Sequence, residues 1–409
     1  MKNALILSLL FLFCGNSTIW AQPVNNLLGD VVMPPPSTAS LGKYVDIPVS
    51  LYTGVPNIGV PIHTVSEGPL SVSIGLSYHA SGMKVGEPAS WVGLGWALNA
   101  GGMISRTVQG IADDQTGGYL YTNQPGVFPT VGYPDCVNGQ PPVDPIGNDL
   151  GSVASGSLDS EPDIYSFNVG GYTGKFYISR SGEAVLIPLQ DILIDYTMTT
   201  GGITDFIMTA PDGSKYYFGE SGDGNPARET MSSGAQFAYT TGWKLKKITD
   251  ANDLYSITFE YETEEYSYRS KSSYSSFGSG APYTHMNIVG SRLVRIQSTK
   301  EQVLFKEQAT VREDLDFKPP YYAGIGGAYA LQSIEISTGD FCREFVLNQS
   351  YYEDNSTYQT GWPCDKRLRL DAVQEQVCGG ASKPPFVFSY YGDVNNTPAN
   401  LPHRLSPAT

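Results

Sequence analysis

The sequence predicts an all-β protein, with layered antiparallel sheets followed by stacked β-hairpins. The chain holds 45 glycines and 27 tyrosines, and only 16% of its residues are charged, whereas long amphipathic helices need more Glu, Lys, Ala and Leu. Apolar and small residues alternate strictly over LSVSIGLSY at 70–78. A short L-x-x-[IV] pattern also recurs four times in the second half. These three observations together favour β-structure throughout.

The segment 70–106 is the most informative part of the chain. Apolar residues occupy every second position over 70–78 and again over 92–98, which predicts two strands. The opposite faces carry Ser, Gly and Ala, and such small residues let another backbone or sheet layer approach closely. Two tryptophans supply large core side chains. The predicted structural residues are Trp91, Gly93, Gly95 and Trp96.

Further strands are predicted on both sides of this segment. Strand-like patterns cover 44–52, 58–65 and 103–108. From residue 163, DIYSFNVGGYTGKFYIS predicts a hairpin that turns at GGYTG. EAVLIPL, DILIDYTMT, DFIMTAP and SKYYFG follow as strands, with turns at TTGG and PDG.

The last part of the chain contains a loose internal repeat. The L-x-x-[IV] units begin at leucines spaced 48, 38 and 39 residues apart, and each is followed by a turn and then a strand-like run, least clearly in the second unit (VLFKEQ). A repeat of this period indicates one supersecondary unit used several times, here a β-hairpin. The four units begin at Leu245, Leu293, Leu331 and Leu370.

Between residues 113 and 162 the periodicity disappears, and Gly, Pro, Asn and Asp dominate. So long a segment without a strand pattern is unusual in a compact domain, so it is either a surface loop or a boundary. The predicted organisation is a signal peptide (1–21), an N-terminal β domain (22–112), a loop or linker (113–162) and a hairpin-repeat domain (163–409).

The first residues read as an export signal. A short basic start precedes an apolar run of h-region length, and Ala21 precedes the predicted cleavage point. Cys14 leaves a lipoprotein anchor as an alternative, although Phe13 precedes it where such sites carry a small residue. We therefore expect an exported protein, extracellular or on the outer cell surface. No later stretch is apolar enough for a membrane-spanning helix.

Four cysteines follow the predicted signal: Cys136, Cys342, Cys364 and Cys378. An even number in an exported chain permits two disulfides in three connectivities. Cys342 and Cys378 lie just beyond the turns of successive hairpin units, which favours Cys342–Cys378 and leaves Cys136–Cys364. No C-x-x-C pair supports a zinc site.

Several of these segments resemble the N-terminal region of large bacterial RHS/YD-repeat proteins. The resemblance rests on ASLGKYVDIPVSLYTGVPNIGVPIHTV, LSYHASGMKVGEPASWVGLGWALNAGGMISRTVQG, EPDIYSFNVGGYTGKFYI, TGWKLKKITDANDLYSITFEY and KRLRLDAVQEQ, and WVGLGWALNAGG is its most specific part. A more distant likeness is to the N-terminal β domain of RHS-linked toxin-complex subunits. The resemblance implies a secreted or surface β protein that precedes a YD-repeat shell. The sequence contains no YD-repeat array and no toxin-like domain, so toxin activity does not carry over.

No motif predicts an enzyme, a cofactor site or a metal site. GLGWALNAGG lacks the third glycine and the helix of a dinucleotide loop, and there is no G-x-S-x-G nucleophile motif. The four histidines (His63, His79, His285 and His403) show no catalytic pattern. Acidic residues are numerous enough to leave a hydrolase as a distant alternative. The glutamates at 260, 262, 264 and 265 alternate in part along a strand, which predicts a solvated strand edge.

The acidic stretch DSEPD at 159–163 could hold calcium through alternate oxygen ligands, but it lacks the EF-hand spacing and is interpreted as a solvated loop. The segment 266–283, rich in Tyr, Ser and Gly, is the best candidate for a recognition loop, because tyrosine gives large contact area at low entropy cost. A flexible loop is the plainer interpretation. Its candidate residues are Tyr266, Tyr268, Tyr274 and Tyr283.

These observations predict a non-enzymatic structural or scaffold module, which caps or supports a larger β shell or contacts neighbouring cells. Its expected partners are a YD-repeat protein, a cell-surface protein or a glycan. The alternative is a surface glycan-binding protein or adhesin that uses the loop 266–283. The net charge of −15 argues against nucleic acid, whose phosphates would repel the chain.

Overall fold

The computed structural model describes residues 54–80, 86–120, 155–220, 227–233, 238–271, 283–315, 327–339, 341–353 and 366–390. All regular structure in these ranges is β, as predicted, and no helix in them could cross a membrane. The strands are β1 (Ile58–Glu67), β2 (Leu70–Tyr78), β3 (Trp96–Ala100), β4 (Gly102–Thr107), β5 (Ile164–Val169), β6 (Tyr172–Ile178), β7 (Ala184–Ile187), β8 (Leu193–Thr199), β9 (Gly202–Thr209), β10 (Lys215–Gly219), β11 (Arg228–Ser233), β12 (Tyr239–Thr249), β13 (Ser256–Lys271), β14 (Tyr283–Gln297), β15 (Gln302–Val311), β16 (Tyr329–Thr338), β17 (Phe341–Glu353), β18 (Lys366–Val377) and β19 (Phe386–Val387).

The first three strands form a small antiparallel sheet in the order β1-β2-β3. The predicted strands at 58–65 and 70–78 are confirmed, and β2 has the predicted bounds. Its apolar face is buried in a core that it shares with the large sheet. The predicted strand at 44–52 lies outside the described residues.

The predicted strand at 92–98 is wrong in its first half. β3 begins only at Trp96, and residues 91–95 form a bend and a turn. Gly93 has φ +152° and Gly95 has φ +77°, and a backbone with positive φ leaves the β region that a strand needs. The alternating pattern failed here because the turn itself buries its apolar residues, Val92 and Leu94.

The sequence-based expectation that a second layer packs against the small-residue face of β2 is wrong for part of the strand. Ser71 and Ser73 are exposed to solvent. The close approach occurs instead at the glycines of the turn that precedes β3. A Cβ atom on Gly95 would lie 2.7 Å from the ring of Tyr78.

Most of the remaining strands belong to one large antiparallel sheet, and β12 is its branch point. One arm runs from β12 through β4, β5 and β6 to β7, and another runs through β10 and β9 to β8. β7 and β8 contact each other without pairing. Aromatic rings from the two arms meet in the core between them: the ring centroids of Tyr165 and Phe206 are 5.6 Å apart, and those of Phe206 and Trp243 are 4.9 Å apart.

The repeated hairpins are confirmed. The L-x-x-[IV] units lie in β12, β14, β16 and β18, and each pairs antiparallel with the strand that follows it in the chain. The second unit, which was the least clear in sequence, pairs as the others do. From β14 to β19 the spatial order equals the chain order.

The sheet continues across the segment 113–162. β4 precedes this segment, β5 follows it, and the two strands pair along their length, with Thr107 opposite Ile164. The sheet therefore does not end at the predicted boundary, and the segment connects two neighbouring strands.

The predicted disulfide Cys342–Cys378 is present. Cys342 lies near the start of β17 and Cys378 directly follows β18, so the bond closes one end of this strand pair. The Cα atoms are 5.5 Å apart, which is typical of disulfides. Cys136 and Cys364 lie outside the described residues.

We expect Gly95→Val to destabilise the fold by about 3 kcal/mol or more. Overpacking costs about 1–3 kcal/mol, and an L-residue with left-handed φ costs roughly a further 1–2 kcal/mol. Urea denaturation measures the loss. The matched control is Gly201→Val, since a Cβ there meets nothing closer than 3.7 Å. Equal stability of the two variants would contradict the close approach of Gly95 to Tyr78.

Replacing both Cys342 and Cys378 by Ser should lower the free energy of unfolding by up to about 4 kcal/mol, because the bond closes a loop with a sequence separation of 36. Guanidinium denaturation of the oxidised and the double-variant protein gives the difference. Peptide mapping without reductant should recover the two cysteines in one linked peptide. A free thiol at either position would show that the bond does not form.

Candidate functional site

The turn before β3 docks onto the repeated hairpins through backbone hydrogen bonds. The amide of Leu331 donates to the carbonyl oxygen of Trp91 at 2.9 Å, and the amide of Leu94 donates to that of Leu368 at 2.8 Å. The side-chain amide of Gln349 donates to the carbonyl of Val92 at 2.7 Å. Residues 91–94 thereby join β16, β17 and β18, which are the third and fourth repeat units. We call this segment the docking turn.

Glycine is required in the docking turn because the backbones nearly touch. A Cβ atom on Gly93 would lie 2.8 Å from the backbone nitrogen of Leu370, the first residue of the fourth repeat unit. Ser90 holds the turn from inside: its Oγ donates to the carbonyl of Trp96 at 2.6 Å and accepts from the amide of Val92 at 3.1 Å. Gly93 therefore has a structural role, but it has this role in a turn and not on the face of a strand.

The two predicted tryptophans have different environments. Trp96 is 3% exposed, and its Nε1 donates to the hydroxyl of Tyr390 at 2.8 Å. The Tyr390 hydroxyl in turn donates to the carbonyl of Leu370 at 2.6 Å, which gives a second link to β18. Trp91 is only partly buried and packs near Phe305, with 6.5 Å between ring centroids.

Four strands beside the docking turn form a closed hydrogen-bonded circuit. β12 pairs with β11 through its first half and with β13 through its last residues, and β14 pairs with both β11 and β13. A cavity of about 630 Å³ lies between this circuit, the docking turn and the β3–β4 connection. Its charged and aromatic lining residues include Trp91, Glu229, Lys244, Glu264, Tyr266, Arg292 and Arg312.

Lys244 lies deep in the protein yet keeps some accessible surface, because it lines this cavity. Its Nζ donates to the carbonyl of Ser291 on the opposite side of the circuit. Burial lowers the pKa of Lys244, and the nearby Glu229 and Glu264 oppose that shift. Burial raises the pKa of Glu264, whose Oε2 has no hydrogen-bond partner among the described residues.

The sequence assigned Glu264 to a solvated strand edge, and this is wrong. Glu260 and Glu262 are exposed and pair with Arg295 and Arg292. Glu264 follows with the same alternation but lines the cavity, at a point where β13 has left β12 and pairs with β14 alone. Lys244, within TGWKLKK, carried no sequence signal that separated it from its neighbouring lysines.

The candidate recognition tyrosines lie mostly on strands. β13 continues to Lys271, so Tyr266 and Tyr268 belong to this strand and not to a loop, and Tyr283 begins β14. Tyr266 lines the cavity, and burial raises its pKa. Tyr274 lies outside the described residues. β13 and β14 pair with each other as far as Lys271 and Tyr283. Both strands therefore extend into a region whose Ser and Gly content predicted a loop.

A second polar cluster is fully buried at the β4–β5 connection. Arg106 Nη1 lies 2.7 Å from Asp114 Oδ1 and 3.7 Å from Asp163 Oδ2. Asp113 and Asp163 accept hydrogen bonds from each other's backbone amides at 2.9–3.1 Å. Burial raises the pKa of Asp113 to about 8, and the charge of Asp163 adds to this shift. Burial also raises the pKa of Asp163 to about 6, and the charge of Asp114 adds to that shift. These contacts hold together the two ends of the segment 113–162.

The same hydrogen bonds argue against the calcium alternative for the stretch 159–163. Both oxygens of Asp159 accept backbone amides, from Ile111 at 2.9 Å and from Glu161 at 3.0 Å. Asp163 accepts the amide of Gln109 as well as that of Asp113. The carboxylates thus fold the connection. In the part of the chain that the structure describes, the single group of metal-ligating types is Glu335 with Cys342 and Cys378, whose sulfurs are bonded to each other.

The described residues define an all-β protein with a cavity of mixed polar and apolar lining. Comparisons with known proteins do not narrow this class further. No family model and no curated protein sequence matches the chain. Among solved structures, it is similar to the N-terminal domain of effector protein SpvB from Salmonella typhimurium strain LT2. The similarity has 10% identity and a TM-score of 0.34, and it covers 78% of this chain and 98% of that one. That score is too low to transfer function, so membership of the RHS/YD-repeat family stays a prediction from sequence.

We expect the protein to lose stability as pH rises from about 5 to about 8. Asp113 and Asp163 have pKa values above the usual 3.8 when folded, so the folded state holds protons that the unfolded chain releases. Each such proton gives a slope of up to about 1.4 kcal/mol per pH unit. Arg106, Asp114 and Asp159 are the neighbouring charged groups that act on this pair.

Thermal unfolding at several pH values, at constant ionic strength, measures this dependence. Asp113→Asn should flatten it, because the amide stays neutral, whereas the exposed Asp195→Asn should leave it unchanged. A wild-type profile that rises with pH over this range would contradict the assignment.

Proposed function

We propose that this chain is an exported, non-enzymatic β scaffold that extends into a larger β assembly at the outer edge of its last hairpin. The supporting observation is the serial order of the sheet from β14 to β19, in which each strand adds beside the previous one. Among the described strands β19 is the last in this order, and we propose that another hairpin of the same type adds beside it.

The outer edge has the properties of a pairing surface. Residues 381–387 are all exposed and lie along β18, to which β19 pairs through Val373 and Ala372. Phe386 is 54% exposed and Val387 is 70% exposed. Edge strands offer unpaired backbone groups to another chain, and proteins normally protect them with charge or proline. Two prolines, Pro384 and Pro385, lie within this exposed run directly before β19. They have no backbone N–H to donate, so they restrict further pairing to the part that begins at Phe386.

The occupant that we propose is a β-hairpin of a YD-repeat protein. Such a hairpin would continue the existing ladder, since β-augmentation uses main-chain hydrogen bonds for affinity and alternate side chains for specificity. The resemblance of the sequence to the region that precedes YD-repeat shells supports this choice of partner. Export rests on the signal-like start of the sequence.

Sedimentation velocity with a purified YD-repeat array tests the proposal. The wild-type chain should form a complex, and the double variant Phe386→Lys with Val387→Lys should bind at least about tenfold more weakly, a change of about 1.4 kcal/mol, because charges block the edge. Leu254→Lys is the matched control, since Leu254 is 76% exposed and lies in a turn between β12 and β13.

Both variants replace exposed side chains, so circular dichroism should show the wild-type fold. The scaffold proposal fails if the wild-type chain forms no complex, or if the edge variant binds as tightly as the Leu254 control.

A further inference from the structure

The charged side chains around the cavity beside the docking turn limit the class of ligand that it can bind. Arg312 is already neutralised: its Nε and Nη2 donate to the two oxygens of Asp314 at 3.0 and 2.8 Å, and its Nη2 also donates to the carbonyl of Ala89 at 2.9 Å. Arg292 pairs with both Glu262 and Glu307. Both arginines are therefore already paired with carboxylates, which weakens the attraction of either one for an anion in the cavity.

Three charged side chains in the lining remain: Lys244, Glu229 and Glu264. Glu229 Oε1 accepts from the hydroxyl of Thr241 at 3.2 Å, and Lys244 Nζ donates to the carbonyl of Ser291. Burial raises the pKa of Glu264, and the nearby Lys244, Arg292 and Arg312 oppose that shift. The lining thus brings a basic group, Lys244, together with two acidic groups, Glu229 and Glu264, so charges of both signs border the cavity. An anion would meet the carboxylates and a cation would meet Lys244, which disfavours both.

The rest of the lining suits hydroxyl groups. Asn99 and Asn168 are exposed residues that also line the cavity, so they mark its mouth, and their side-chain amides can both donate and accept. Trp91 and Tyr266 add aromatic surface inside. A volume of about 630 Å³ lies in the range of roughly 300–1,000 Å³ that is usual for small-molecule sites.

We propose that this cavity binds one neutral, hydroxylated ring: a monosaccharide, either free or as the terminal residue of a glycan. Its hydroxyls both donate and accept, as the mixed lining of Lys244, Glu229 and Asn168 requires. Its apolar face can lie against Trp91 or Tyr266. This inference is independent of the scaffold proposal, because it uses the cavity and not the β19 edge.

Saturation-transfer NMR on the purified chain tests the site with glucose, galactose, mannose and N-acetylglucosamine. We expect saturable binding of at least one of them, with a Kd on the order of 1 mM or tighter. A glycan array distinguishes a free monosaccharide from the terminal residue of a glycan as the ligand. Binding of the free sugar indicates a monosaccharide site, and binding on the array alone indicates recognition of a terminal residue.

Two variants locate the binding. Glu229→Gln and Asn168→Ala should each weaken it at least about tenfold, since each removes a group that faces the ligand. Asn252→Ala is the matched control, because Asn252 is an exposed asparagine that does not line the cavity. The variant with lysines at 386 and 387 should bind sugar normally, which separates this site from the scaffold proposal.

The inference is overturned if no sugar binds in solution and none on the array. It is also overturned if Glu229→Gln and Asn168→Ala both bind as the Asn252 control does while their thermal unfolding is unchanged. Tighter binding of glycine or alanine than of any sugar would assign the cavity to a zwitterion instead.

Discussion

The contact between the docking turn and the repeated hairpins is the interaction on which the rest of the structure depends. Two backbone hydrogen bonds, at Trp91 and Leu94, attach the N-terminal sheet to β16 and β18. Hydrogen bonds this close to a neighbouring backbone are possible only because Gly93 has no Cβ. Early and late parts of the chain therefore contribute to one core. The contacts in this core join residues that are far apart in the sequence.

The polar interior follows from that closed arrangement. β12 has different partners along its two halves, so β11, β13 and β14 return to it and form a circuit instead of a continuous flat sheet. Side chains that would face solvent on an open sheet then face inward, and Lys244 and Glu264 are two of them. The same burial that shifts their pKa values keeps them close to a cavity where a ligand could use them.

Sequence periodicity predicted those parts of the fold whose burial is decided locally. β2 and the four hairpin units were predictable, since alternation and turn residues act within one supersecondary unit. The pattern failed at 92–95, where a turn buries apolar residues as a strand would. It failed again at Glu264, because no local signal shows that this part of β13 lines a cavity. Lys244 and the Arg106 cluster needed partners far away in the chain, which a single sequence does not reveal.

The sequence by itself determined the all-β class and the repeated hairpins, because these depend on short-range pattern, and the repeat phase favoured the pairing of Cys342 with Cys378 among three connectivities. The tertiary structure alone decided that residues 113–162 connect two neighbouring strands, since β4 and β5 pair across them. It also decided which glycine is essential and which glutamate is buried. The physical reason is that backbone approach and desolvation arise only when distant strands meet.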